Sequence, residues 1–295
     1  MRRYGVAIFM IVLFLSACSP KINVVQQKQQ GKDFFNAGAY QGSLTHWNKL
    51  IAYYDSRGEE IPGEIYLGAG KAYYEIGNMD EAISMLDQAR YSEFNDPEIF
   101  EYLAKAYKQI DNLSKEIISL ESYVNQFPEA QKIDNMRICL FKTYVESENW
   151  QLGYDLWPML PDSLKENDKF LTGYFQINKG LDNHQEAMEL ARKIIKKDDD
   201  RADVLEYLAK YYYNTANDLY KREMQAYEKN KTHAQYARLL KALEDVNANF
   251  KVALQYFKKL YNQNPRESYA QYLANIYARF DDEKRAAYYR EKAGQ

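Results

Sequence analysis

The chain has 295 residues, 46% hydrophobic and 27% charged, with 39 Lys and Arg against 42 Asp and Glu and a formal net charge of −3. This slight acidity leaves no basic excess for a nucleic-acid partner. Two cysteines offer little for a disulfide framework, so the fold must hold itself by burial, and about 265 residues beyond the N-terminal stretch suffice for a large core, as one domain or as a repeat array.

The N-terminus differs from everything after it. Met1-Arg2-Arg3 is basic, and Gly5 to Leu15 is an uninterrupted apolar run followed by Ser16, Cys18, Ser19 and Pro20. Residues 1–17 read as a signal peptide, since the run falls short of the roughly 20 residues that cross a bilayer. Leu15-Ser16-Ala17-Cys18 resembles the lipobox of bacterial lipoproteins. The resemblance implies cleavage before Cys18 and acylation of its thiol and new amino group, and two or three chains anchor a protein stably where one does not. The alternative is an ordinary secretory signal with a chance cysteine. Ser19 stands where Gram-negative lipoproteins retained in the inner membrane carry aspartate, and no acid precedes Asp33 to resemble the surface-export signal of some Bacteroides-like bacteria. The expectation is an outer-membrane anchor with the body facing the periplasm. Loss of Arg2 and Arg3 would take the charge from −3 to −5. Acylation of Cys18 would leave Cys139 alone, with no intramolecular disulfide possible.

Residues 18–30 read as a lipidated tether and the start of the first helix, and 31–295 as a helical array. Self-alignment gives a period of 34. Pro62-Gly63 opens the clearest copy, with Tyr66, Ala69-Gly70, Tyr73, Gly77, Ala82, Leu86 and Ala89; the next carries Phe100, Leu103-Ala104, Tyr107, Asp111, Leu120, Tyr123 and Pro128. This order of aromatic, small, aromatic, turn residue and large apolar positions resembles the tetratricopeptide repeat. The resemblance implies an all-α, right-handed α-solenoid of about seven helical hairpins, each burying its uncovered side against the next.

Weaker copies flank these two. Upstream are Gly31, Phe34, Gly38, Tyr40, Trp47 and Leu50, then an insertion around Arg57-Gly58-Glu59-Glu60. Downstream are Leu140-Phe141, Tyr144, Trp150, Gly153, Trp157 and Leu160, where Pro158 and Pro161 stop the second helix early. A fifth copy spans Tyr174-Phe175, Ala187, Ala191 and Ile194, with a loose turn. The sixth begins at Leu205, Leu208-Ala209 and Tyr212 but does not turn on schedule, because no glycine or proline occurs from Leu181 to Asn264. Two overlong helices over about 203–263 are expected, turning at Asn230-Lys231-Thr232. Tyr236, Leu239, Leu243, Val246, Phe250, Ala253, Phe257 and Leu260 form the seam, in steps of three and four. Tyr269, Leu273-Ala274, Tyr277 and Ala286 mark a last pair, capping helices over about 266–292.

No catalytic constellation emerges. His46, His184 and His233 lie in different repeats without ligand-spaced neighbours, so no metal site is expected, and no phosphate loop or nucleophile elbow implies a cofactor or an enzyme. Cys139, among Ile138, Leu140 and Phe141, reads as a buried core thiol. Lys196-Lys197-Asp198-Asp199-Asp200 reads as a solvated inter-repeat loop.

The residue after the core small position recurs as lysine: Lys71 and Lys105 in the clear copies, Lys32, Lys142 and Lys210 in the weaker ones. In tetratricopeptide proteins this position points into the concave groove, so the resemblance implies a cationic ladder that would attract an acidic or C-terminal carboxylate ligand. The competing reading is ordinary solvated lysines paired with Glu64, Glu75, Glu101 and Glu206. Tyr74 would wall the groove near Lys71, and Tyr74, Tyr211 and Tyr213 are expected off the core stripe. Asparagines are not interleaved with these lysines as in the carboxylate-clamp subfamily. The expected partner is a protein of an envelope complex: lipobox and repeats together resemble the lipoprotein subunit of the β-barrel assembly machinery, although seven repeats exceed its usual five. The alternative is a glycan-binding lipoprotein of a nutrient-uptake system, motivated by exposed tyrosines and by Trp47, Trp150 and Trp157.

Overall fold

A computed structural model describes residues 22–295, so the signal segment 1–17 and the lipidation site Cys18 lie outside the described residues. All described elements are helical and packed as consecutive hairpins, in two compact units that divide at Met136 and Arg137. The sequence pattern shows no such division, because the repeat period runs through it.

The first unit holds α1 (Val24–Asn36) with α2 (Tyr40–Asp55), α3 (Gly63–Glu75) with α4 (Met79–Tyr91), and α5 (Pro97–Gln109) with α6 (Leu113–Gln126). α7 (Ile133–Glu146) begins at its end and continues into the second unit, where α8 (Trp150–Leu156) stops at a 3₁₀ turn, Trp157–Met159. Pro158 lacks the N–H that another α-helical turn would use. There follow α9 (Asp162–Lys165), α10 (Asp168–Gly180) with α11 (His184–Lys197), α12 (Ala202–Lys229) with α13 (His233–Gln263), and α14 (Glu267–Arg279) with α15 (Glu283–Lys292). Seven hairpins are thus present among the described residues.

Six hairpins share one turn. Its central residue has positive φ: Gly38, Gly77, Asp111, Glu148, Asp182 and Asp281, at 55–82°. The next N–H donates to the carbonyl five residues back, as in Asn78 to Tyr73, Asn112 to Tyr107 and Asn149 to Tyr144, each 2.9–3.0 Å. This is the Schellman closure, which satisfies the last carbonyls of the first helix. The residue that completes it often caps the next helix: Asn78 and Asn112 accept from the backbone N–H groups of Glu81 and Lys115. The fifth turn is no looser than the others, since Asn183 N–H closes on Asn178 at 2.9 Å. The sequence disguised it because aspartate, which tolerates this conformation better than most residues, replaces glycine.

Close approach between helices is set by residues without a Cβ. A methyl group on Gly70 would come within 2.7 Å of Leu86, one on Gly153 within 2.7 Å of Ile177, and one on Gly180 within 2.4 Å of Trp150. Trp47, 2% exposed, meets Gly31 of α1 and Gly68 of α3, where an added Cβ would stand 2.7 and 2.4 Å from its ring. Its indole N–H donates to Ser43 Oγ, which donates to the Gly31 carbonyl.

The long hairpin turns at Asn230–Thr232, with 28 and 31 residues in its helices. Six of the eight expected seam residues of α13 are buried, from Leu239 to Leu260. Leu243 is half-buried and Tyr236 is 47% exposed, so the seam starts one turn later than its spacing suggests. In α15, which packs chiefly on α14 and sets Tyr289 against Tyr261 of α13, only Ala286 is buried, as suits a terminal helix with one side open.

Two substitutions at the shared turn should have opposite signs. Gly77→Ala should lower unfolding free energy by about 1 kcal/mol and Glu148→Gly raise it by up to about 1 kcal/mol. Urea midpoints check both, and a loss at Glu148→Gly would refute the strain argument.

Candidate functional site

Lys32, Lys71, Lys105 and Lys142 occupy one structural position, each six residues before the positive-φ residue of its hairpin. In the first unit they stand on α1, α3 and α5. A cavity of about 480 Å³ opens across these three helices, with Lys32 and Phe35 from α1 and Leu67, Gly68 and Lys71 from α3. Phe94 and Asp96, before α5, and Glu98, in its first turn, complete the far side.

The lysines are not a bare cationic ladder. Lys32 and Lys28 both meet Glu64 at 2.6 Å, and Lys71 meets Glu98 at 2.7 Å. Each glutamate stands seven residues before the lysine of its own repeat, so a lysine of one first helix is stapled to the carboxylate of the next. At the following step the equivalent position is Asn135, and Lys105 turns back to Glu101 on its own helix at 2.7 Å. Lys132 meets the same carboxylate at 2.9 Å. In the second unit Lys210 pairs with Glu206, and Lys142 lies 5.5 Å from the Phe170 ring beside a small apolar hollow.

Aromatic rings complete the charge pattern. Lys71 Nζ is 5.0 Å from the Phe35 ring centroid and 5.4 Å from that of Tyr102, which also lies 4.5 Å from Lys105 Nζ. Cation–π contact of this kind holds an ammonium group where it is partly desolvated. Burial pushes the Glu64 and Glu101 carboxyls up, but hydrogen bonds from Lys28 and Lys32, and from Lys105 and Lys132, outweigh it and hold both below their ordinary values. Tyr102 is shifted up by burial and by the carboxylates of Glu75, Glu98 and Glu101.

Several sequence expectations require correction. The aromatic wall beside Lys71 is Phe35 and Tyr102; Tyr74 stands behind, edge-on to Tyr102 at 5.5 Å. Phe35 and Tyr74 occupy the same repeat position, three residues before the turn glycine, and that register could have identified Phe35. Tyr213 is no groove residue: it packs on Phe250, Phe257 and Tyr272, because the long helices bring a third helix against it. Cys139 is exposed, since Met136, Leu140, Phe141 and Tyr144 take the core side of α7. Trp47 is buried and cannot face a ligand, whereas Trp150, which packs over Gly180, and Trp157, which stacks on Tyr174 at 4.1 Å, are half-exposed.

Among the described residues no cluster of His, Cys, Asp and Glu could hold a metal ion, and no helix is long and apolar enough to cross a membrane. The architecture is that of tetratricopeptide-repeat proteins. No protein-family model and no curated protein matches the sequence. Among solved structures the chain is similar to YrrB, a tetratricopeptide-repeat protein with an unusual peptide-binding site, at TM-score 0.50 and 13% identity over 62% of this chain and 91% of that one. It is also similar to a tetratricopeptide repeat protein from Parabacteroides merdae, at TM-score 0.44 and 14% identity over 92% of each chain. The C-terminal part of a repeat protein from Cytophaga hutchinsonii gives TM-score 0.48 and 14% identity over 90% of this chain and 93% of that one.

The depressed carboxyls make stability depend on pH. A group held below its unfolded value of about 4.3 contributes stability above that pH and loses it as pH falls through the folded value. Glu101→Gln should cost about 1–2 kcal/mol at neutral pH, discounted for the exposed lysines, and should flatten the acid limb. Parallel curves of urea midpoint against pH would show that this carboxylate carries no linkage.

Proposed function

We propose that this protein is a lipid-anchored, periplasm-facing scaffold of the outer membrane, holding an extended segment of an envelope-complex protein in the cavity of its first unit. The observation that carries the reading is the cavity lining: three successive first helices contribute to it, so a bound segment can cross them in turn. Lys32, Lys71, Glu64 and Glu98 compensate one another, which disfavours selection by net charge. Phe35, Leu67 and Phe94 offer an apolar seat between the stapled pairs, which suits a peptide with an apolar anchor and polar flanks. The fold shared with YrrB, a protein with a peptide-binding site, is compatible with this use. The anchor rests on the lipobox-like Leu15-Ser16-Ala17-Cys18.

Crosslinking in intact cells, followed by purification of the full-length protein, tests the proposal. A discrete envelope protein should be recovered. Phe35→Ala should weaken its binding about tenfold, and Lys71→Glu, which sets a second carboxylate beside Glu98, should weaken it further. Cys18→Ser should release the protein from the membrane fraction. Undiminished recovery with Phe35→Ala and Lys71→Glu would remove the groove from the account, and membrane retention of Cys18→Ser would remove the lipid anchor.

A further inference from the structure

The charge register of the first unit reverses in the second. Lys32 and Lys71 meet Glu64 and Glu98 of the following first helix, whereas Lys142 of α7 faces α10, whose hairpin turns at Asp182. Six residues before that turn is Gln176, and seven before Gln176, at the position of Glu64 and Glu98, stands Lys169. A second ammonium group has replaced the carboxylate. Both lysines are exposed, and neither forms an ion pair or a side-chain hydrogen bond among the described residues. Lys142 instead sets its Nζ 5.5 Å from the Phe170 ring. Of the acids nearest in the chain, Asp168 meets Lys197 at 2.9 Å, Glu146 is itself engaged, and none lines the space beside the two lysines.

That space is a hollow of about 110 Å³, room for one aliphatic side chain, lined by Phe141, Lys142 and Val145 of α7 and by Lys169, Phe170 and Gly173 of α10. Phe141 and Phe170 stack with their centroids 5.9 Å apart and make its apolar floor. A Cβ on Gly173 would lie 3.2 Å from both Phe141 and Val145, so the missing side chain leaves the hollow open. The cavity of the first unit brings Glu64, Asp96 and Glu98 to its two lysines, whereas this hollow has two lysines and no acid. It therefore favours an anion, with one apolar contact beside the charge. A bare acidic group would leave the floor empty, and an apolar side chain alone would leave both ammonium groups unmatched. A free acid small enough to fit would gain too few contacts to stay bound, whereas a polypeptide continues past the rim along the flanking helices.

We infer that the hollow between α7 and α10 takes a polypeptide carboxylate next to one apolar side chain, the carboxylate at Lys142 and Lys169 and the side chain on Phe141 and Phe170. The carboxylate is that of a chain terminus or of an acidic residue, and the test separates the two. This is independent of the first-unit cavity. The full-length chain carrying Cys18→Ser, so that no acyl chain competes for the hollow, is mixed with N-acetylated peptides and read by saturation-transfer NMR, which detects weak contacts of leucine methyls. One peptide ends in leucine with a free carboxylate, a second is amidated with an internal Glu-Leu, and a third is amidated with Gln-Leu. The first or the second should give methyl signals that high salt diminishes, and the third should not. Lys169→Glu installs the staple of the first unit, and Lys142→Gln removes one cation; each should weaken binding of the responding peptide about tenfold, while Lys71→Glu leaves it unchanged. Circular dichroism establishes that each variant is folded. Silence from both acidic peptides, an equal signal from the Gln-Leu peptide, or undiminished binding by folded Lys169→Glu would overturn the inference. Loss of the signal with Lys71→Glu would move the contact to the first unit, and overturns it equally.

Discussion

A helical hairpin of this length buries one side within itself and leaves others bare, so it is stable only with a neighbour stacked on it. How closely the helices meet sets the geometry of that stacking, and here the approach depends on single missing methyl groups. Gly70 receives Leu86, Gly153 receives Ile177, and Gly31 and Gly68 together receive the indole of Trp47. At Gly31, Gly68 and Gly70 the added Cβ would meet the Trp47 ring or Leu86 Cγ, which close packing leaves little room to move; at Gly153 it would meet the terminal methyl of Ile177, which can shift. The recurrent turn serves the same end, returning the chain after three residues with its carbonyls satisfied.

Within this frame the charges shape the cavity of the first unit more than they stabilise the fold. Exposed lysine–glutamate pairs contribute little energy. Their effect in the first unit is to cancel: what would be a column of ammonium groups becomes alternating signs between first helices, from Lys28 and Lys32 on Glu64 to Lys71 on Glu98. The segment proposed to bind there would meet local complementarity and apolar contact with Phe35, not a long-range field.

The sixth hairpin departs from the pattern for a simple reason: nothing in it stops a helix. Once α12 and α13 outgrow their neighbours they can pack only on each other, as the alternating seam permits. Glu223 of α12 accepts from Arg222 of its own helix and from Arg238 of α13, an ion-pair cluster that links the two helices. The tip is therefore held by contacts between its own two helices.

Periodicity carried most of the fold in advance. The spacing from Tyr73 to Tyr107, the absence of Gly and Pro after Leu181, and the turn at Asn230–Thr232 are local properties, because helix propensity and turn chemistry act over a few residues. The equivalence of Lys32, Lys71, Lys105 and Lys142 was legible for the same reason. What those lysines touch was not. Glu64 and Glu98 reach them from the next helix, Tyr213 is enclosed by a helix sixty residues on, and Cys139 is turned outward by the faces its neighbours occupy. Such outcomes depend on which side chain wins a place between two helices, and only the packed structure decides that competition.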